Sequence, residues 1–324
     1  MSQIPYEPTR CPVCDSLENL EIADRDAIRS EVELLWAFHE RRLRKGIPPE
    51  YLADRVAFSQ HPPLRVARCR ICSHVYRNPW ERRAALEAAY GRPIPDPGVL
   101  QALVETQRET CRAQLRRLTA VTGRTGRGLE VGSYVGGFLE AARDAGWAFE
   151  GVDLSAPAVD FVADRGFKVT LGEIAEVPAD PPFDAIAIWN TFEQLYDVRA
   201  ALVAARERLR GGGILAVRIP NGEFYAGWRA RLDGPLRGLA LRLLAHNNML
   251  SFPYRQGFTR HSLARLLQAG GFEIVRVFGD VLVPVADRWT TGYGKIEERI
   301  VKRLQRLFQP GWRAPWLEVY AAAA

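Results

Sequence analysis

The segment from Gly128 to Ser155 has the residue types and spacing of a nucleotide-binding turn. It predicts a strand that ends near Glu130, a glycine-rich turn, a helix, and a second strand that ends at Asp153. Gly136 and Gly137 are expected to leave room for a ligand to approach the main chain. A carboxylate about twenty residues beyond such a turn can accept hydrogen bonds from both hydroxyls of a ribose. These residues therefore predict a ligand with an unphosphorylated ribose.

The spacing of the glycines argues against a dinucleotide site. A pyrophosphate-binding turn has the pattern GxGxxG, whereas Gly132 is followed by Ser133, Tyr134 and Val135. The turn and its two acids instead resemble the first motif of class I S-adenosylmethionine-dependent methyltransferases. This resemblance implies an α/β fold with a doubly wound, Rossmann-like seven-stranded sheet, S-adenosyl-L-methionine as cofactor, and methyl transfer as the activity. The alternative is an ordinary βαβ turn with incidental glycines.

Downstream segments occur in the order that this family shows. They are the strand and loop Phe183–Gln194, the strand Ile214–Ile219 with Pro220-Asn221, and a segment from Gly257 to Val277 that is similar to the family's "FTxxSLxxLLxxAGF" helix with the following strand. Thr259 is expected to cap that helix, and residues 315–320 to form a last, antiparallel strand. The resemblance therefore covers residues 125–320.

The resemblance implies two groups of site residues. Those expected to hold S-adenosyl-L-methionine are Glu130, Gly132, Ser133, Gly136, Asp153, Leu154, Trp189 and Asn190. Many relatives have Glu-His where this chain has Glu193-Gln194, and a glutamine cannot act as a general base, although its amide can orient a substrate. We expect Glu193 and Gln194 on the catalytic side, with His246 as a candidate base. The alternative for His246 is a structural role at the end of a helix.

Four of the five cysteines form two CxxC pairs, Cys11 with Cys14 and Cys69 with Cys72. Two such pairs supply four thiolates for one tetrahedral Zn²⁺ and leave no position open for water, so a structural zinc ion is expected. A disulfide or redox role is disfavoured, because no secretory signal is present and a redox motif does not need a duplicate. His74 is expected to be a neighbour of the metal rather than a ligand.

The chain is expected to have three parts. Apolar residues at helical spacing between residues 28 and 44 predict a helical insertion that separates the two cysteine pairs. We expect a zinc-ribbon-like module over residues 1–80, a helical linker or cover over 81–122, and a methyltransferase domain over 123–324. A lid insertion is expected within the last part, near residues 222–256.

Four amphipathic segments accompany the expected domain. Residues 82–90 and 99–121 predict helices before the first strand, where relatives place a cover over the cofactor end of the sheet. Residues 235–245 and 296–308 combine leucine and isoleucine with arginine, and each is expected to cover the active site. Because both have basic flanks, contact with a membrane surface is the less favoured alternative.

Composition restricts the class of protein. The chain has 324 residues, of which 47% are apolar and 25% charged, which is enough for a full core and an accessory module. Its formal net charge is +6, but the arginines are scattered, which favours solvated helix faces over a nucleic-acid surface. No apolar run approaches the roughly 18 residues of a membrane span. Residues 1–10 have no signal-peptide pattern, so we expect a cytoplasmic protein.

Our leading hypothesis is methylation of a small-molecule, sugar or glycan acceptor, at oxygen rather than at carbon. The first alternative is an RNA methyltransferase that binds RNA through the zinc ribbon. Residues 190–193 read Asn-Thr-Phe-Glu and lack the [DN]PP[YF] element that is typical of enzymes that methylate exocyclic amines of bases. The second alternative is a non-catalytic zinc-containing binding protein with a vestigial methyltransferase fold. The missing Glu-His histidine suggests it, and the intact glycine turn opposes it.

Overall fold

The computed structural model describes residues 6–47, 65–85, 97–247, 249–250, 254–281, 289–308 and 311–324. The strands in these ranges are β1 (Tyr6–Glu7), β2 (Asn19–Ala23), β3 (Arg65–Cys69), β4 (Val75–Asn78), β5 (Trp80–Glu81), β6 (Arg127–Val131), β7 (Ala148–Asp153), β8 (Val169–Leu171), β9 (Phe183–Trp189), β10 (Leu209–Pro220), β11 (Gln256–Gly257), β12 (Phe272–Asp280) and β13 (Trp316–Ala323). The α-helices are α1 (Arg25–Glu40), α2 (Pro97–Thr122), α3 (Gly137–Asp144), α4 (Ala156–Ala163), α5 (Val198–Arg208), α6 (Gly222–Arg229), α7 (Arg237–Ala245), α8 (Arg260–Ala269) and α9 (Gly292–Phe308). Short 3-10 helices cover Ile174–Glu176, Phe192–Gln194 and Gly311–Arg313.

The larger sheet has seven strands in the order β12-β13-β10-β9-β6-β7-β8. Strands β6 to β10 pair in parallel, whereas β13 lies antiparallel between β10 and β12. The central strand β9 is buried along its length except at Asp184, as expected for a strand with helices on both faces. The expected doubly wound α/β sheet is therefore confirmed, as is the last antiparallel strand.

Helices cover the two faces of this sheet. On one face, α2 and α3 pack through Leu115, Leu118 and Phe138 against small residues such as Ala185 and Ala216 of the central strands. On the other face, α5 and α8 pack against the aliphatic residues of β9 and β10. This leaves the carboxyl ends of the parallel strands as the edge where loops meet, which is where ligands bind in such sheets.

A smaller sheet of four strands has the order β11-β4-β3-β2. Its strand β11 comes from the chain that follows α7, and it pairs with β4 from the N-terminal part. The next residue, Phe258, exchanges backbone hydrogen bonds with the end of β10: its N–H donates to Pro220 and its carbonyl accepts from Gly222, both at 3.0 Å. Residues 256–258 therefore join the two sheets.

Several helices agree with the sequence predictions. Helix α1 fills the expected insertion, and the Asp24 side chain caps it by accepting from the Ala27 N–H. Thr259 caps α8 as expected, together with Ser262. The predicted helix at 82–90 is described only at residues 83–85, and the rest of it lies outside the described residues. In the part of the chain that the structure describes, no helix has the length and apolar character needed to cross a bilayer.

Strand β10 begins earlier than the sequence predicts. The sequence predicts a strand from Ile214, but the strand already starts at Leu209 and includes the three glycines at 211–213. Its pairing with β9 shifts in register between Leu209 and Ile214, and Gly212 has a φ of +69° there. Glycine permits this irregular extended stretch, because it adopts positive φ without a steric cost.

Candidate active site and metal centre

The glycine turn connects β6 to α3 and is folded back on itself. Gly132 and Gly136 have φ values of +76° and +72°, and Tyr134 between them has +41°. Gly136 precedes the first residue of α3 and leaves the helix N-terminus without a side-chain cap. The sequence needs glycine at 132 and 136, because residues with a Cβ rarely adopt this left-handed conformation.

The glycines were expected to leave room for a ligand, but in the structure their nearest neighbours are other side chains of the protein. A side chain at Gly136 would contact Val162 of α4 at 3.2 Å, and one at Gly137 would contact the Gln107 side chain of α2 at 3.1 Å. A side chain at Gly132 would overlap Thr191, which follows β9. The glycines therefore let two helices and the β9 loop approach the turn closely.

Two carboxylates lie at the strand ends beside the turn. Asp153 ends β7, and its oxygens accept from the backbone N–H groups of Tyr134 at 2.8 Å and Ser155 at 2.9 Å. Glu130 is buried in β6, and its Oε2 has no hydrogen-bond partner among the described residues. Burial raises the pKa of Glu130 well above its usual range, and the negative charge of Asp153 raises it further. Burial also raises the pKa of Asp153, against the effect of its backbone hydrogen bonds.

This pair of acids fits a cationic ligand. Two neighbouring carboxylates with one unpartnered buried oxygen are stabilised by a positive charge placed between or beside them. Ser133, which is also buried, has a hydroxyl without a partner in the described structure. Leu154, at 41% exposure, lies next to Asp153 at the open side of the turn. Six of the expected cofactor residues are therefore together at one strand edge: Glu130, Gly132, Ser133, Gly136, Asp153 and Leu154.

The end of β9 brings the other expected residues beside this turn. Trp189 packs its ring against Phe138 and Tyr320 in the core, so only its indole N–H, which has no described partner, is available to a ligand. Asn190 has a φ of +55°, a conformation that asparagine tolerates better than most residues. The Gln194 side-chain amide donates to the Asn190 carbonyl and fixes the loop.

Glu193 is the buried acid of this loop. It is fully buried. Burial raises its pKa to about 8, although its own backbone N–H, the positive charge of Arg218 and the nearby Gln194 amide offset part of the rise. A carboxyl group with this pKa changes protonation near neutral pH, which is what a general acid or base requires.

Arg218 is a central residue of the site that the sequence reasoning missed. It is buried in β10, its Nε donates to Asp280 at the end of β12 at 2.5 Å, and it also donates to the Asn190 side chain. Its guanidinium lies 4.8 Å from the ring centre of Trp316. Arg218 is the only charged residue in the run ILAVRIP, and a lone arginine in a buried strand was the available signal.

His246 lies in a different cluster, at the end of α7. Its ring is buried, its Nδ1 is 4.0 Å from Glu298 of α9, and neither ring nitrogen has a hydrogen-bond partner among the described residues. Burial lowers its pKa well below the usual range, which keeps the ring neutral. Lys302, one turn along α9, binds Glu298 at 2.7 Å, and burial lowers its pKa to about 8. The catalytic role of His246 stays a prediction.

The sulfur atoms of Cys11, Cys14, Cys69 and Cys72 all lie within 4.8 Å of one another. The pairs Cys11–Cys72 and Cys14–Cys69 are 3.4 and 3.5 Å apart. Four thiolates around a zinc ion, with Zn–S bonds of about 2.3 Å, are roughly 3.8 Å apart. The four cysteines are therefore positioned to bind a tetrahedral metal ion.

The two CxxC segments have the same backbone conformation. The residues that follow each pair, Asp15 and Ser73, have φ values of +59° and +61°. The Asp15 N–H donates to the Cys11 carbonyl at 2.8 Å, and the Ser73 N–H donates to the Cys69 carbonyl at 3.0 Å. Two sequence-distant turns thus present their thiols in the same way, as the ligand loops of one tetrahedral site require.

His74 connects the four-cysteine cluster to the larger domain. Its Nδ1 lies 3.3 Å from the Ser262 hydroxyl of α8, and its Nε2 lies 3.0 Å from Oε1 of Gln256 in β11. Both ring nitrogens therefore have partners outside the cysteine group, which agrees with the expected role of a neighbour.

The sheet order, the glycine turn and the acid at the end of the second parallel strand define a class I S-adenosylmethionine-dependent methyltransferase. A sequence family described as "Methyltransferase domain" matches residues 103–277, which is more than half of the chain. The chain belongs to this family and is an enzyme that uses S-adenosyl-L-methionine.

Solved structures of other methyltransferases are similar to the chain. A SAM-dependent methyltransferase from Archaeoglobus fulgidus is 18% identical, with a TM-score of 0.46, over 66% of this chain and 94% of that one. A possible histamine N-methyltransferase from Thermotoga maritima is 21% identical, with a TM-score of 0.43, over 68% and 94%. The glycopeptide N-methyltransferase MtfA, in complex with (S)-adenosyl-L-methionine, is 13% identical, with a TM-score of 0.43, over 66% and 94%. No curated protein sequence matches the chain.

Proposed function

We propose that this methyltransferase transfers the methyl group of S-adenosyl-L-methionine to a hydroxyl of a small-molecule, sugar or glycan acceptor. The observation that carries the proposal is Glu193, a fully buried carboxyl group in the loop after β9 whose pKa is raised by burial. An acceptor hydroxyl must lose a proton as it is methylated, and a carboxylate with a pKa of about 8 can take that proton.

Bound S-adenosyl-L-methionine would supply an electrophilic methyl group on a positively charged sulfur. In our proposal Asp153 binds the ribose hydroxyls, and Glu130 with Ser133 binds the amino-acid end, where a cationic ammonium offsets the buried negative charge. Asn190, fixed by Gln194 and Arg218, would orient the acceptor beside the turn.

The proposed reaction is an in-line displacement. As the acceptor oxygen forms its bond to the methyl carbon, the carbon–sulfur bond breaks, and the electron pair stays on sulfur. The hydroxyl proton passes to the carboxylate of Glu193. The positive charge of Arg218 near Glu193 helps the carboxylate form at neutral pH.

We further propose that residues 1–80 form the metal module, with Zn²⁺ as a structural ion on the four cysteines, that residues 81–122 form the cover, and that 123–324 form the catalytic domain. A ligand set of four thiolates leaves no open position, so the ion would contribute stability rather than chemistry.

The test is transfer of an isotope-labelled methyl group from S-adenosyl-L-methionine to pools of sugars, glycans and ribosomal RNA. We expect labelled sugar or glycan, with the label on oxygen by carbon NMR. Glu193→Gln should lower kcat by about 100-fold or more, because an amide cannot take the proton. Glu207→Gln, on the exposed side of α5, is the matched control and should leave kcat unchanged.

Four results would contradict this proposal. Label in RNA alone would support the RNA alternative. Label on carbon would refute methylation at oxygen. An unchanged kcat in Glu193→Gln would remove Glu193 as the base. The absence of heat on titration with S-adenosyl-L-methionine would contradict the cofactor assignment itself.

A further inference from the structure

Helix α9 packs against the rest of the protein with its apolar side facing outward. Ile296, Ile300, Leu304 and Leu307 are 57%, 53%, 47% and 66% exposed, and they recur at the three- and four-residue spacing of one helix face. Tyr293, one turn before them, is 66% exposed. A helix on the surface of a globular domain normally buries this face.

The polar side of α9 is what holds the helix on the protein. Its inward residues are Glu297, Glu298, Lys302 and Gln305, all of them buried. Glu298 binds Arg42 at 2.9 Å, and Glu297 binds Arg242 of α7 at 3.1 Å. These buried ion pairs fix the rotation of α9 about its axis, because turning the apolar face inward would leave the acids without partners.

The charges on the outer surface of α9 are all positive. Arg299, Arg303 and Arg306 are exposed, and Lys295 is half-buried, whereas the only two acids of the helix point inward. No carboxylate of the described residues lies within ion-pair distance of these four cations. The outer side is therefore an apolar stripe bordered by unpaired positive charge.

Helix α7 adds exposed leucines next to this stripe. Leu236 and Leu239 are 48% and 47% exposed. Arg242, one turn after Leu239, reaches Glu297 in the first half of α9, so the two helices are neighbours at this end. Arg237 beside Leu236 is also exposed.

We propose that the stripe of α9 (Tyr293, Ile296, Ile300, Leu304 and Leu307) docks on an anionic lipid surface, with the helix lying in the plane of the interface. A helix of 17 residues extends over about 25 Å, which is long enough to seat four turns among lipid headgroups. Its cations border the apolar face, where they meet anionic headgroups.

The charge pattern favours a membrane over a second copy of the chain. A symmetric dimer through this stripe would place two identical sets of four cations against each other without any outward acid to pair them. A bilayer with anionic headgroups satisfies the cations and the apolar side chains together.

The test is co-sedimentation of the full chain with vesicles of phosphatidylcholine alone or with phosphatidylglycerol. We expect binding to the phosphatidylglycerol vesicles that weakens as salt rises. The double variant Ile300→Ser/Leu304→Ser should bind at least about tenfold more weakly, because two partly exposed aliphatic side chains no longer enter the interface. Arg303→Gln should bind about fivefold more weakly.

The matched control is Val203→Ser on α5, which removes an equally exposed aliphatic residue elsewhere and should not change vesicle binding. Failure of the wild-type chain to sediment with phosphatidylglycerol vesicles would overturn the proposal. A wild-type dimer that the double variant converts to a monomer would assign the stripe to self-association instead. If the double variant has a much lower melting temperature than the wild type, the stripe is covered by another part of the chain, which also overturns the proposal. Vesicle binding, oligomeric state and melting temperature are all measured without methyl transfer.

Discussion

The cofactor side and the acceptor side of the site are built in different ways. On the cofactor side, one continuous segment from Glu130 to Asp153 contributes the turn and both acids. On the proposed acceptor side, Arg218 and Asp280 come from two strands that are far apart in the chain. The proposed cofactor residues thus lie in one local motif, whereas the proposed acceptor residues are brought together by the pairing of strands in the sheet.

The cofactor side and helix α9 also differ in how their acidic residues are buried. Glu130 and Asp153 have no cation paired with them in the described structure, and each supports the case for a positive ligand because burial raises both pKa values. Around α9, each buried acid has a basic partner, and Glu298 binds both Arg42 and Lys302. The first arrangement supports the proposed binding site, and the second fixes helices in place. Four predictions separate the two sides.

Removal of the metal should affect the acceptor side most. Cys72→Ser leaves three thiolates, and because structural zinc sites contribute on the order of 10 kcal/mol to folding, the N-terminal module should unfold. We expect bound metal, measured by mass spectrometry, to be lost, and acceptor turnover to fall by more than about 100-fold. Affinity for S-adenosyl-L-methionine, measured by calorimetry, should change little. Cys111→Ser, in α2, is the control and should keep its metal.

An equal loss of cofactor affinity in Cys72→Ser would show that the two sides do not fold separately.

The pH profile of kcat should report the acceptor side. A base with a pKa of about 8 is active only when ionised, so kcat should rise about tenfold per pH unit between pH 6 and 7 and level off above pH 8. Glu193→Gln should abolish this rise in a steady-state assay, whereas Glu207→Gln should retain it. A flat wild-type profile over this range would assign proton removal to another group.

Asp153→Ala should affect the cofactor side alone. The loss of two charge-assisted hydrogen bonds to a ribose corresponds to about a 10- to 100-fold weaker affinity for S-adenosyl-L-methionine. Metal content should remain that of the wild type. Asp160→Ala, on the exposed face of the following helix α4, is the matched control. Unchanged calorimetric affinity in Asp153→Ala would show that the ribose binds elsewhere.

The smallest expected effect is a change in melting temperature on substitution of Glu31. It is buried in α1 beside Arg229 and Tyr225 of α6, and burial raises its pKa to about 7. Since the folded state favours the protonated form, this stabilisation is complete below about pH 4.5 and is lost as the pH rises through 7. Glu31→Gln should therefore gain about 2–4 °C in melting temperature, relative to the wild type, between pH 5 and pH 8. Parallel melting curves at the two pH values would contradict this.

The sequence predicted those features that are determined by residues close together along the chain. The glycine turn, the Thr259 cap and the two CxxC pairs each occupy a short segment, so their residue types were enough to place them. Helical spacing also identified α9, but it shows only which residues share a face. Which face turns inward was decided by Arg42, which lies more than 250 residues away in the chain and binds Glu298. Arg218 was missed for the same reason, because its partners are on other strands.

The pairing of strand β11 with β4 is expected to connect the enzyme's activity to the metal supply of the cell. After α7, the chain passes through Gln256 and Gly257, and these residues are hydrogen-bonded to β4, which follows the second cysteine pair directly. Because we propose that the four cysteines hold a metal ion, we expect a chain made without it to lose the scaffold for that passage while its cofactor pocket stays folded. Such a chain would hold the methyl donor without using it. Methylation by this enzyme should therefore follow the metal supply of the cell rather than its level of methyl donor.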